Sequence, residues 1–268
     1  GVSAFGTNPF AADWREIATG LSWGLGYFGM PHILVRFMAI RDENELKLSR
    51  RIASVWVVIS MAVSIFIGIV GNAASARGAI ATLAGSDSET VIVRFASLLA
   101  ENGIFAALIA GVVLAGILAS TMSTADSQLL TASSAVSRDL FAGVFRKELD
   151  AKKTLQISRL TLLVVALIGV VFAWDSTSSV FRIVSFAWAG FGASFGPVVL
   201  LALFWKRSNR YGALAGMLTG GIMIFVWKFL VRPLGGVLDI YELLPAFLIA
   251  LAANVIVSLA TPAPVSYT

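Results

Sequence analysis

The 268-residue chain is 58% hydrophobic and 13% charged, carries a formal net charge of +5 and contains no cysteine. So much apolar surface exceeds what a soluble core of this size hides, and the chain reads as an integral membrane protein. The absent cysteines exclude disulfides and Cys-ligated metal or iron–sulfur centres.

Spanning segments need about 20 mostly apolar residues, and seven are predicted, at 16–40, 52–73, 102–126, 156–174, 179–205, 211–230 and 242–261. Runs such as IFAALIAGVVLAGILA (104–119) are continuously apolar rather than alternating, so the predicted class is an all-α polytopic bundle and not a β-barrel. The opening GVSAFGTNPFAADWRE has no basic region ahead of an apolar stretch and does not read as a signal peptide. It has no initiator Met either, and the expectation is a piece of a longer chain.

The first segment, IATGLSWGLGYFGMPHILVRF (17–37), carries Gly20, Gly24, Gly26 and Gly29 and then Pro31. Proline removes a backbone donor and clustered glycine lowers helix propensity, which predicts an unwound stretch around 24–31. Broken spans are tolerated where they line a cavity or are buried in protein. The alternative is that the glycines serve only close helix packing. Trp23 and Tyr27 lie four apart, share a helical face and can sandwich a small apolar ring, or else belong to an interfacial aromatic belt, for which Trp14 is better placed. His32, the one histidine, reads as a packed or hydrogen-bonded helper.

RDENELKLSRR (41–51) is predicted as a short charged turn, and ETVIVRFASLLAENG (89–103) as a surface helix ahead of the third span. In that third span Ser120, Ser123, Thr124, Ser127, Thr131 and Ser134 recur on a single helical face. Hydroxyls there either bond back to the carbonyl four residues earlier or form half a site for a small monovalent cation. In the second case Ser123 and Thr124 supply hydroxyls, Ser120 its carbonyl, and another element must complete the shell. Neutral hard oxygens suit Na⁺, whereas Zn²⁺ prefers His, Cys or carboxylate. Asp126 costs about 2.5–3.5 kcal/mol near mid-membrane. It is a second cation ligand with Ser123 and Ser127, a proton carrier, or a group close enough to the cytoplasmic end to be hydrated or paired with a base such as Arg138.

The fifth segment holds SFAWAGFGASFGPVVL (185–200), where Gly190, Gly192, Gly196 and Pro197 predict a second interruption. Two broken spans in one bundle point to a transporter-like site. Lys and Arg are rich at 36–51, 138–159 and 206–210 and sparse in the alternate connections, which places residue 1 outside and the end of the chain in the cytoplasm. That distribution favours membrane topology over a nucleic-acid partner.

WGLGYFGMPHILVRFMA (23–39), ILASTMSTADSQLL (117–130) and SFAWAGFGASFGPVVLLALFW (185–205), in this order and spacing, resemble the sodium/solute symporter family and, within it, the sodium/proline symporters. The resemblance runs from about residue 15 to 260. It implies a LeuT-type fold of two inverted five-helix repeats. This chain, 1–268, would be a single transmembrane fragment, with the second repeat at 16–205 and two additional C-terminal peripheral helices at 211–262. The N-terminal half of the transporter would be missing from it. The resemblance implies substrate contacts at Trp23, Tyr27 and Pro31, and a Na⁺ site at the Ser120 carbonyl and the Ser123 and Thr124 hydroxyls. Relatives with a second sodium site use positions matching Ser123, Asp126 and Ser127. Met30 stands where Gln is expected before Pro-His, and Asp126 where a small or hydroxyl residue is common; these departures bear on substrate selectivity and on coupling.

The expected function is therefore Na⁺-coupled uptake of L-proline, or of another small organic solute, by alternating access in the plasma (inner) membrane. Na⁺, the solute and the lipid bilayer are the expected partners. A polytopic enzyme would need a catalytic set, and no HExxH, paired intramembrane Asp or acyltransferase His-Asp set is present. A channel would need a continuous ring-lined path.

Overall fold

The computed structural model describes residues 13–145, 150–174 and 179–263. Among them the chain is all-helical, without a strand. Nine α-helices follow in order: α1 (Trp14–Gly26), α2 (Pro31–Met38), α3 (Glu45–Ala76), α4 (Val91–Ala100), α5 (Ile104–Ser134), α6 (Ala151–Ala173), α7 (Val180–Phe204), α8 (Arg210–Val226) and α9 (Leu243–Ala260). Among the described residues six stretches are long and apolar enough to cross a membrane: Glu45–Ala76, Ile104–Phe141, Ala151–Ala173, Val180–Phe204, Arg210–Leu234 and Leu243–Ala260. They match the second to seventh predicted segments. The first is divided into α1 and α2, so no single helix there reaches spanning length.

Two expectations about local structure are corrected. The charged stretch 41–51 is a turn only as far as Asn44, because α3 starts at Glu45 and carries Lys47, Arg50 and Arg51 on its first turns. These residues are good helix formers and continue directly into an apolar helix, which nucleates for them. The second interruption does not form: α7 runs unbroken from Val180 to Phe204 with Pro197 inside it. One proline removes a single donor, and the small residues Ala189, Gly192, Ala193, Gly196 and Pro197 are buried together on one side of the helix. Close packing there offsets the weak propensity. The predicted surface helix is α4.

The described residues divide into two compact units, one from Gly1–Met38 and Phe181–Thr268 and the other from Ala39–Val180. In the second unit, α3 ends at a left-handed glycine, Gly78 (φ +73°), whose N–H donates to Ser75 O at 3.1 Å while Ala79 N–H reaches Ala74 O at 2.9 Å. Such a terminus caps the last carbonyls and favours glycine, which lacks the Cβ that clashes there. Gly103 (φ +104°) takes another conformation that favours glycine at the start of α5, where its carbonyl accepts from Ala107 N–H at 2.9 Å. Glu89, just before α4, accepts from Ser179 Oγ at 2.6 Å and Val180 N–H at 3.2 Å.

In the first unit, the core gathers Ala189, Ala193, Ile224, Tyr241, Leu243, Ala246 and Phe247, with Trp23, Leu25, Phe186, Trp188, Leu200 and Met223 packed against it. Glycines set the helix spacing. A Cβ at Gly216 would lie 3.0 Å from Asn254 Cβ and 3.2 Å from Ala250 O, and one at Gly220 would meet the Ala193 carbonyl of α7. Asn209 caps α8 by accepting from Tyr211 N–H (3.1 Å) and Gly212 N–H (3.0 Å). Its amide donates to Ser258 O, Thr261 Oγ1 and Pro262 O at the end of α9.

Candidate functional site

The break in the first segment is narrower than 24–31. Gly24 and Gly26 stay helical in α1, a 3₁₀ turn covers Tyr27–Gly29, and Met30 is extended at φ −83°, ψ 110° before α2 restarts at Pro31. The cause lies at Pro31. In a continuous helix the Tyr27 carbonyl would accept from residue 31, which has no N–H; it accepts instead from Met30 N–H at a long 3.5 Å. Glycine contributes by proximity. A Cβ at Gly29 would strike the Phe191 carbonyl and approach Gly192 Cα to 2.8 Å, and one at Gly26 would strike the Trp188 indole. Both of the readings offered for these glycines therefore hold, at different positions: the backbone breaks at 27–30, and Gly26 and Gly29 let α7 approach it.

Aromatic rings surround the break. Trp23 stacks against Tyr241 (centroids 5.5 Å, 13° between planes), Phe181 (5.4 Å, 27°) and Trp188 (5.9 Å, 30°). Tyr27 meets Trp188 edge-on at 4.8 Å, and Trp188 Nε1 donates to the Trp23 carbonyl at 3.1 Å. Trp23 and Tyr27 do share a face, and Trp188 touches both. Tyr27 is 56% exposed, Pro31 is half-buried, and Met30 is buried. Trp188, Tyr241 and the buried Glu242 went unnoticed in the sequence. The only available signals were the tryptophan inside AWAGFG and an acid placed against the last apolar run.

The hydroxyl track lies on α5, in the other unit. Ser120, Ser123, Thr124 and Asp126 are exposed, and Ser127 is half-buried. Back-bonding is present: Thr124 Oγ1 donates to Ser120 O (3.3 Å), Ser127 Oγ to Ser123 O (3.0 Å) and Thr131 Oγ1 to Ser127 O (2.8 Å). Asp126 forms no ion pair among the described residues, so the pairing with Arg138 does not occur. Further along, the buried Ser137 hydroxyl donates to Ser133 O at 2.7 Å, inside a π-helical stretch over Ala135–Val144.

A family description, the sodium:solute symporter family, matches residues 6–220. The chain belongs to that family. It is a family of transporters and not of enzymes, and its name makes Na⁺ a co-substrate. Among its relatives, the osmoregulated proline transporter OpuE of Bacillus subtilis is 41% identical over 254 residues, covering 94% of this chain and 50% of that protein. The sodium/proline symporter of Salmonella typhimurium is 41% identical over 94% of this chain and 48% of its own length. That of Escherichia coli is 40% identical over the same shares. The chain thus spans about half the length of the curated relatives it matches. No solved structure matches it.

Proposed function

We propose that this chain is the C-terminal half of a secondary transporter that couples inward Na⁺ movement to uptake of L-proline or a close analogue. In this reading 16–205 is the second repeat of a LeuT-type inverted-repeat fold, 211–262 adds two peripheral helices, and the first repeat completes both sites. The observation that carries it is the break at Tyr27–Met30, an interrupted apolar segment with its backbone flanked by Trp23, Tyr27 and Trp188. Broken membrane helices present free backbone groups to the carboxylate and ammonium of an amino acid. The rings beside them suit a small apolar ring.

Ser120 O, Ser123 Oγ and Thr124 Oγ1 are the Na⁺ ligands in this proposal, with Ser123, Asp126 and Ser127 as a second cation or proton site. Their exposure suits a face that the other half of the transporter covers. One charge moving down 100 mV supplies about 2.3 kcal/mol. Na⁺ at these oxygens favours the outward-facing state, and solute closing over Trp23 and Tyr27 permits the rocking motion. The chain crosses the plasma (inner) membrane with its start outside and its end in the cytoplasm. Contacts within the first unit agree with that parity: Arg15 reaches Gly236 O at one end, and Arg207 reaches Thr261 O at the other.

The test is radiolabelled proline uptake into proteoliposomes by the complete protein, with and without a sodium gradient. Losing one ligand to a charged ion costs about 1.5–3 kcal/mol, so Ser123→Ala and Thr124→Ala each raise the Na⁺ half-saturation constant about tenfold or more. Unchanged sodium dependence in both variants removes the ion site. Sodium-driven uptake that proline does not share, but another amino or organic acid does, replaces the solute and keeps the mechanism.

A further inference from the structure

Glu242 has no part in the transport reading, yet its side chain is 2% exposed. Its carboxylate lies 3.0 Å from Arg232 Nη1 and 3.6 Å from Lys228 Nζ, and Arg232 Nε also pairs with Asp239 at 3.0 Å. A buried carboxylate with two cationic partners is fixed in place, because losing a partner strands a desolvated charge.

The residue before it is equally constrained. Tyr241 is buried, lays its ring on Trp23, donates its hydroxyl to Ser185 O at 2.5 Å and its N–H to Thr19 Oγ1 at 3.3 Å. Burial raises its phenol pKa, which keeps the hydroxyl a neutral donor. Earlier in the same connection, Gly236 O accepts from Arg15 Nη1 at 3.0 Å. Residues 15, 19 and 23 follow one another at i, i+4 and i+8 on one face of α1. All three meet the α8–α9 connection, and the backbone break begins four residues after the last of them.

We propose that the α8–α9 connection is a clasp on α1, with Tyr241 as the positioning residue that sets the Trp23 indole for solute binding and Glu242 as the anchor that holds Tyr241. This rests on the reading of Trp23 as a solute contact. The clasp acts on solute affinity and leaves the oxygens of α5 untouched, so it separates the two co-substrates kinetically.

The experiment measures initial rates of Na⁺-driven L-proline uptake by the complete protein in proteoliposomes, for wild type, Trp23→Leu, Tyr241→Leu, Tyr241→Phe and Glu242→Gln. An aromatic pair is worth a factor of about three to ten. Tyr241→Leu therefore raises the solute KM by that factor, with Vmax per reconstituted protein and the Na⁺ half-saturation constant unchanged. Glu242→Gln moves KM in the same direction. Tyr241→Phe keeps the ring, loses only the bond to Ser185, and raises KM by about two- to threefold; it decides the question if the leucine variant does not reconstitute. A raised KM in Trp23→Leu with an unchanged KM in Tyr241→Leu overturns the clasp and leaves the solute site standing. An unchanged KM in Trp23→Leu removes the solute contact, and the clasp with it. A fall confined to Vmax or yield in the Tyr241 and Glu242 variants also overturns the proposal, since a purely structural role predicts it.

Discussion

Gly190 and Gly192 stand two residues apart in α7, both helical, but in different surroundings. A Cβ at Gly190 meets nothing within 4 Å, whereas one at Gly192 would lie 2.7 Å from Gly26 Cα and 2.9 Å from Leu243 Cδ1. Replacing either by alanine gains the same helix propensity, about 1 kcal/mol, and that gain cancels when the two variants are compared. What remains is overpacking at Gly192. Leu243 Cδ1 ends a flexible side chain and can turn away. Gly26 Cα is backbone at the last residue of α1 and moves only if α1 is pushed off α7, against the bond from Trp188 Nε1 to the Trp23 carbonyl. Overpacking of this kind costs about 1–3 kcal/mol, or roughly 1–6 °C in apparent Tm for a protein about twice this chain's length. The assay is thermal unfolding of the complete protein in detergent at one scan rate, which keeps irreversible melts comparable. Gly190→Ala is expected at or above wild type, and Gly192→Ala below Gly190→Ala by that interval. A Gly192→Ala protein that melts with Gly190→Ala, or above it, would refute the close approach of α1 and α7.

The cap on α8 gives a second stability test: Asn209→Ala loses the accepted bonds of the cap and the donated bonds to the end of α9 and should cost about 2 kcal/mol, whereas Asn209→Asp keeps the cap but sets a carboxylate oxygen against the Ser258 and Pro262 carbonyls and should cost at least as much, both read as Tm. Pro31→Ala restores an N–H opposite the Tyr27 carbonyl and removes a helix penalty of about 3 kcal/mol; rejoining α1 to α2 should raise the solute KM by an order of magnitude or more in the uptake assay. The buried Tyr241 phenol ionises above its ordinary value of 10, so the folded state favours its neutral form. Its contribution to stability is present below that pH and is lost only in stronger alkali. A spectrophotometric titration of wild type minus Tyr241→Phe should show one late-titrating phenol, and an ordinary midpoint would contradict the burial of that ring.

Legibility of the fold followed the reach of each signal. The long apolar helices were readable because about 20 consecutive apolar residues have few alternatives, and α4 because its apolar pattern is dense between polar flanks. The break at 27–30 was readable because Pro31 acts locally, through one missing N–H. The glycines of α7 were misread because propensity cannot tell a glycine that breaks a helix from one that admits a neighbour. That distinction lies in the backbone of α1, more than 160 residues earlier in the chain. Trp188 and Tyr241 escaped for the same reason: each reaches the candidate site only through residues of a different element, Trp188 through Trp23 and Tyr27 and Tyr241 through Trp23. Glu242 carried a weak signal, an acid against an apolar run, but its cationic partners Lys228 and Arg232 lie beyond one helical turn and no period connects them.

The oxygens of α5 bring the two original readings of the hydroxyl track together. A back-bonded threonine was the ordinary alternative to a cation ligand, and Thr124 Oγ1 does donate to the Ser120 carbonyl. That bond holds two oxygens side by side on one face. In the proposed half-site a cation would turn the hydroxyl hydrogen away and leave the oxygen in place, so one modest hydrogen bond, about 0.5–1.5 kcal/mol, is what it would displace. Two oxygens from one helix turn do not enclose an ion, so the proposed site would bind only when an opposite element supplies the remaining oxygens, and binding that depends on such closure would let Na⁺ bias one conformation over another.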